Sequence, residues 1–143
     1  MLDGSGSLTG KAAKEIKEEA HLHVTPTDLL NMSALALEDD DAEHLQQAMY
    51  PSPGACDEFI PLFLCQKRLT RRHIEWLRGR ATGLRSEGEN ISLSLVPLER
   101  LWKEGARDGK ALAALALYEG LKREGRLPDM PAEVETEPGD VCD

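Results

Sequence analysis

The segment Lys14-Glu-Ile-Lys-Glu-Glu restricts this chain more than any other. Glu15, Glu18 and Glu19 stand at i, i+3 and i+4, positions that share one face of a helix. Three carboxylates so placed repel one another and destabilise an isolated helix. Two answers are open. One is a solvated acidic face offset by Lys11, Lys14 and Lys17. The other is a divalent cation, and hard oxygen ligands of this kind suit Mg²⁺ or Mn²⁺. The helix itself is expected to begin near Lys11 under a Ser7 or Thr9 cap and to end before Pro26, with Ala12, Ala13, Ile16 and Ala20 as its apolar stripe.

A core for that helix has to be aliphatic. Apolar residues make up 41% of the 143-residue chain and aromatics only 4%, enough for one domain of ordinary size. With 17 bases against 26 acids the net charge is −9, which argues against a nucleic-acid partner, since phosphate binding wants a basic surface. Much of the acidity sits at the end: six acids and no base fall between Pro128 and Asp143, and the remainder holds 17 bases against 20 acids. Residues 128–143 are therefore expected to be an acidic, disordered tail after a domain at 1–127.

Cys56, Cys65 and Cys142 are odd in number and form no CxxC pair, so neither a disulfide framework nor a structural zinc site is expected, and Cys56 is expected to be a packed, inert thiol. Ala111–Tyr118 is too short to span a bilayer, which takes about 20 residues. No signal-peptide pattern opens the chain, and a soluble intracellular protein with no membrane partner is expected.

Strands are expected at Leu29–Leu37, at Glu58–Cys65 with Pro61 marking an edge or bulge, and at Ile91–Val96, where apolar and polar residues alternate. Short helices are expected within the basic stretch Lys67–Arg80 and after Pro97, and a last helix over Lys110–Lys122. Trp76 and Trp102 fall at helical positions and are expected in the core. The order is that of an α/β chain, with too few strands to complete its sheet.

Four motifs carry a resemblance. Leu8-Thr-Gly-Lys-Ala-Ala-Lys-Glu-Ile-Lys-Glu-Glu resembles the Nudix box, and Tyr50-Pro-Ser-Pro-Gly-Ala-Cys-Asp-Glu resembles the loop-and-strand motif of ADP-sugar and ADP-ribose pyrophosphatases. Thr82-Gly-Leu-Arg with Glu87-Gly-Glu-Asn-Ile is similar to the late acidic loop of that subgroup, especially its plant and algal type. The helix from Asp108 to Glu119 fits as well. The resemblance covers residues 1 to about 125. It implies a Nudix-type α/β/α sandwich with a mixed sheet, represented by its box helix and C-terminal half, with the first strands missing.

The resemblance also implies a chemistry: Mg²⁺-dependent hydrolysis of a nucleoside diphosphate sugar (ADP-glucose, ADP-ribose or UDP-glucose), in a homodimer of the cytoplasm or chloroplast. Glu15, Glu18, Glu19 and Glu89 would be metal ligands, Glu18 belonging also to the catalytic machinery, and Glu87 the general base, with the roles of Glu87 and Glu89 interchangeable. Glu58 and Lys14 would lie near substrate. Lys14 stands where the box has Arg, and His21 where it has a glycine that supplies a left-handed cap. The box's first glycine, the strands that bind the nucleoside and any targeting peptide would precede Met1, so a truncated chain is expected. The rival reading is a catalytically silent Nudix fragment that keeps only an interaction or dimerisation surface.

Overall fold

The computed structural model describes residues 8–82, 88 and 90–135. In chain order these form α1 (Leu8–Ala20), β1 (Leu29–Asn31), α2 (Met32–Ala36), β2 (Phe63–Cys65), β3 (Arg68–Leu69), α3 (Arg71–Leu77), β4 (Ala81–Thr82), β5 (Ile91–Ser92), α4 (Leu101–Glu104), α5 (Gly109–Arg123) and β6 (Val134–Glu135). Helices thus mix with three two-stranded pairs, β1 with β2, β3 with β6 and β4 with β5, in an α/β arrangement. The described residues gather into two compact units, one drawn from the segments Met1–Leu29, Cys65–Leu95 and Met130–Asp143, the other from Leu30–Leu64 and Val96–Asp129.

The second unit is built on α2 and α5. The strand expected over Leu29–Leu37 stops at Asn31, because the Asn31 side chain accepts a hydrogen bond from the Ala34 N–H at 3.0 Å and caps a helix. Met32-Ser-Ala-Leu-Ala then continues as helix, mostly in residues that favour it. Ser33, 2% exposed, accepts the Leu62 N–H on its hydroxyl at 2.9 Å, and Met32 N–H donates to the Leu62 carbonyl at 2.9 Å. Met49 and Ile60 exchange backbone hydrogen bonds, so the strand expected from Glu58 reduces to this bridge and to β2.

Asp108 caps α5 by accepting from the N–H groups of Lys110 (2.9 Å) and Ala111 (3.4 Å), and Lys122 and Arg123 face the negative end of its dipole. The buried side of α5 runs through Ala113, Ala114, Leu117, Tyr118 and Leu121 onto Met32 and Leu62, while Leu112 and Ala116 are exposed. Trp102 on α4 is 62% exposed and Cys56 is exposed as well, so neither is in the core where the sequence reading put it. The physical reason for Trp102 is the brevity of α4: four residues give a single turn, which offers only one side to α5.

The first unit places α1 beside a one-turn 3₁₀ segment at Pro26–Asp28, and α3, β4 and β5 fall in the chain between the paired strands β3 and β6. Ala13, Val24 and Leu77 are its buried apolar residues, with His73 and Thr82 buried among the polar ones. β4 and β5 pair antiparallel, Ala81 opposite Ser92 and Thr82 opposite Ile91, so the strand expected over Ile91–Val96 is shorter than its alternation suggested.

The segment expected to be a disordered tail differs in its first eight residues. Val134–Glu135 pairs parallel with Arg68–Leu69, the Thr70 N–H donates to the Glu135 carbonyl at 3.1 Å, and the Arg68 guanidinium donates to the Pro131 carbonyl at 2.7 Å. The reason is electrostatic. Lys67 is the only ammonium within ion-pair distance of two carboxylates among the described residues, holding Asp28 and Glu135 at 3.0 Å each. Residues 136–143, including Cys142, lie outside the described residues.

Two stability predictions follow from these contacts. Leu121→Ala removes the most buried side chain of α5 and should cost about 3 kcal/mol in urea-induced unfolding. The Asp28 carboxyl is held below its ordinary pKa first by the Thr25 N–H at 2.9 Å and then by the Lys67 ammonium. A lowered folded-state pKa contributes stability that is present above the unfolded value, about 3.9, and is lost as pH falls through the folded value. The acid limb of stability below about pH 4 should therefore be shallower in Asp28→Asn than in the parent chain, measured by thermal melting across pH.

Candidate functional site

α1 presents Ala13 inward at 8% exposure, with Ile16 and Ala20 half-buried beside it. That orientation turns Glu15 and Glu19 to solvent and leaves Glu18 half-buried at the margin. Lys14 lies one turn before Glu18, its ammonium 3.8 Å from the carboxylate, and the lysine side chain is 73% exposed. A pair so solvated contributes little and holds Glu18 only loosely. Lys14 is thus a charge neighbour of one member of the triad.

The helix ends as the sequence pattern required, though with another residue. His21 adopts φ +52, a left-handed conformation, and its N–H donates to the Lys17 carbonyl at 3.1 Å. His21 is the one described non-glycine residue with positive φ. Its ring meets Trp76 of α3 edge-on, with centroids 5.6 Å apart and planes at 84°. The Arg80 guanidinium lies 3.5 Å from the centroid of the same indole and donates from Nε to the Trp76 carbonyl at 3.1 Å. Trp76, half-buried, is therefore joined to the end of α1.

The remaining predicted residues fall elsewhere. Glu58 belongs to the other unit and is exposed on the segment leading to the Ile60 bridge. Glu87 and Glu89 lie outside the described residues, as does most of the Thr82–Ile91 loop apart from Gly88, at φ +78, and Asn90. Among the described residues no group of three or more His, Cys, Asp or Glu side chains converges to hold a metal ion. The histidines His21 and His23 do not change this.

The donor set of α1 nonetheless fits a hard divalent cation in kind: three carboxylates, two exposed and one half-buried, on one helical face. Left to themselves, like charges at this spacing splay apart.

Sequence reasoning gave no role to His73, which is 1% exposed with neither ring nitrogen hydrogen-bonded, or to the Thr82 hydroxyl, which is buried and equally unsatisfied. His73 sits four residues before the buried Leu77, so the signal for its burial lay in helical spacing inside a basic stretch. Burial also pushes the Cys65 thiol up, which makes it a poor nucleophile.

Comparison with known proteins adds one relative of clear similarity. Over 123 residues, 86% of this chain, the sequence is 35% identical to Nudix hydrolase 14, chloroplastic, of Arabidopsis thaliana. The chain resembles a Nudix hydrolase along most of its length. It spans 38% of that relative's own length. No protein-family model matches the chain, and no solved structure matches it. Among the described residues no helix is long and apolar enough to cross a membrane.

Proposed function

We propose that this chain is part of a Nudix-type pyrophosphatase that hydrolyses the diphosphate bond of a nucleoside diphosphate sugar, with ADP-glucose, ADP-ribose and UDP-glucose as substrates, giving a nucleoside monophosphate and a sugar phosphate. The observation that carries the reading is the 35% identity to Nudix hydrolase 14 over 123 residues. The Nudix α/β/α sandwich, the homodimer and a cytoplasmic or chloroplast setting are part of the same proposal.

Glu15, Glu18 and Glu19 would hold Mg²⁺, or Mn²⁺ in its place, together with Glu89 from the late loop. When bound, the cation supplies charge neutralisation on the diphosphate and a lowered pKa for the attacking water. The rest belongs to the chain. Glu87 would take the proton of the water as its oxygen bonds to one phosphorus and the bond from that phosphorus to the bridging oxygen breaks. Lys14 would keep positive charge beside Glu18, and Glu58 would lie near the substrate.

The test is product analysis by ³¹P NMR on the purified chain with Mg²⁺ and each of the three substrates. AMP or UMP should appear with the sugar phosphate, Glu18→Gln should abolish turnover, and Glu87→Gln should lower it by about 10²- to 10⁴-fold. Undiminished hydrolysis in Glu18→Gln would overturn the metal assignment. Absence of turnover with every substrate would favour a silent module.

A further inference from the structure

The left-handed backbone at His21 is a strain that a glycine would not carry, and such conformations persist only where neighbouring groups hold them. The neighbours are on view. The ring of His21 rests edge-on against Trp76, and Trp76 is itself fixed by the Arg80 guanidinium at 3.5 Å, by the hydrogen bond from Arg80 Nε to its carbonyl, and by the ring of His73 at 6.3 Å and 69°. His73 is 1% exposed, so the stack is rooted in the buried part of the unit. His21 follows Glu18 by three residues and Glu19 by two, directly after the last residue of α1.

We infer that His21 is a positioning residue for Glu18 and Glu19: its contact with Trp76 fixes the last turn of α1 and so the direction in which both carboxylates leave the helix toward a divalent cation. The inference rests on the proposed reading of those glutamates as ligands. Helix ends fray when nothing holds them. A frayed last turn would let Glu18 and Glu19 separate under their own repulsion, and cation binding would then have to reorder them. The ring stack does that ordering beforehand. Trp76 becomes, on the same argument, a reporter of the cation.

The experiment uses the full chain, with Mn²⁺ as probe followed by electron paramagnetic resonance and Mg²⁺ followed by Trp76 emission in a Trp102→Phe background. His21→Gly keeps the left-handed turn and removes the ring; Trp76→Leu removes its partner; Trp76→Phe retains an aromatic face. His21→Gly and Trp76→Leu should each weaken Mn²⁺ binding about tenfold, and Trp76→Phe should stay within about twofold of the parent. Mg²⁺ should change Trp76 emission in a saturable way. Loss of Mn²⁺ binding in Glu18→Gln, with parental binding in His21→Gly and Trp76→Leu, would overturn the positioning role while leaving the ligand reading intact. Parental Mn²⁺ binding in Glu18→Gln would overturn the ligand reading and the inference with it. Should Trp76→Leu fail to fold, the Trp102→Phe titration decides: emission that tracks Mn²⁺ occupancy supports positioning, and a flat response overturns it.

Discussion

Where α1 stops, the backbone turns left-handed at His21, and much of the first unit follows from that turn. It sends the chain back so that Val24 is buried three residues later. Thr25 and Asp28 then close a short turn through the Thr25 N–H and the Asp28 carboxylate at 2.9 Å. Asp28 meets Lys67 at 3.0 Å, and Lys67 meets Glu135 at the same distance, on the strand pair β3–β6. Lys67 itself is pulled down by burial and raised further by its hydrogen bonds to Asp28 and Glu135, so it stays charged through the neutral range. A run of local contacts thus extends from the end of the acidic helix to the acidic end of the described chain.

The same helix carries an unresolved repulsion. Glu15, Glu18 and Glu19 share a face, and the Lys14 ammonium 3.8 Å from Glu18 is too solvated to neutralise it. Such an arrangement is costly as structure and useful as a ligand set. On the proposed Nudix reading a hard divalent cation would occupy that face.

Local signals in the sequence were read well where a single residue dictated the backbone. The first helix, the helix within Lys67–Arg80 and the last helix all appear within a few residues of expectation. His21 takes the left-handed conformation that the resemblance to the box assigns to a glycine at that position. Strands were overestimated. Apolar runs such as Leu29–Leu37 do not distinguish strand from buried helix, and here the Asn31 cap decided for helix at Met32. The tail was misjudged in its first part because its acids were counted as solvated charge, whereas Glu135 has a specific partner 68 residues away in Lys67. Trp102 was misplaced because an aromatic at helical spacing says nothing of how long its helix is. That Glu15, Glu18 and Glu19 share one helical face was legible from spacing, and the stack of His21 on Trp76 was not, since the two rings meet only in the folded unit.

Calorimetric melting of the parent chain and of Glu18→Gln, each with and without Mg²⁺, tests the central claim most directly. Without the cation the neutral variant should melt at the higher temperature, because one of three repelling charges is gone. With Mg²⁺ the order should invert, the parent gaining and the variant not. Equal gains in both, or none in either, would contradict the account that this acidic face exists to hold a divalent cation.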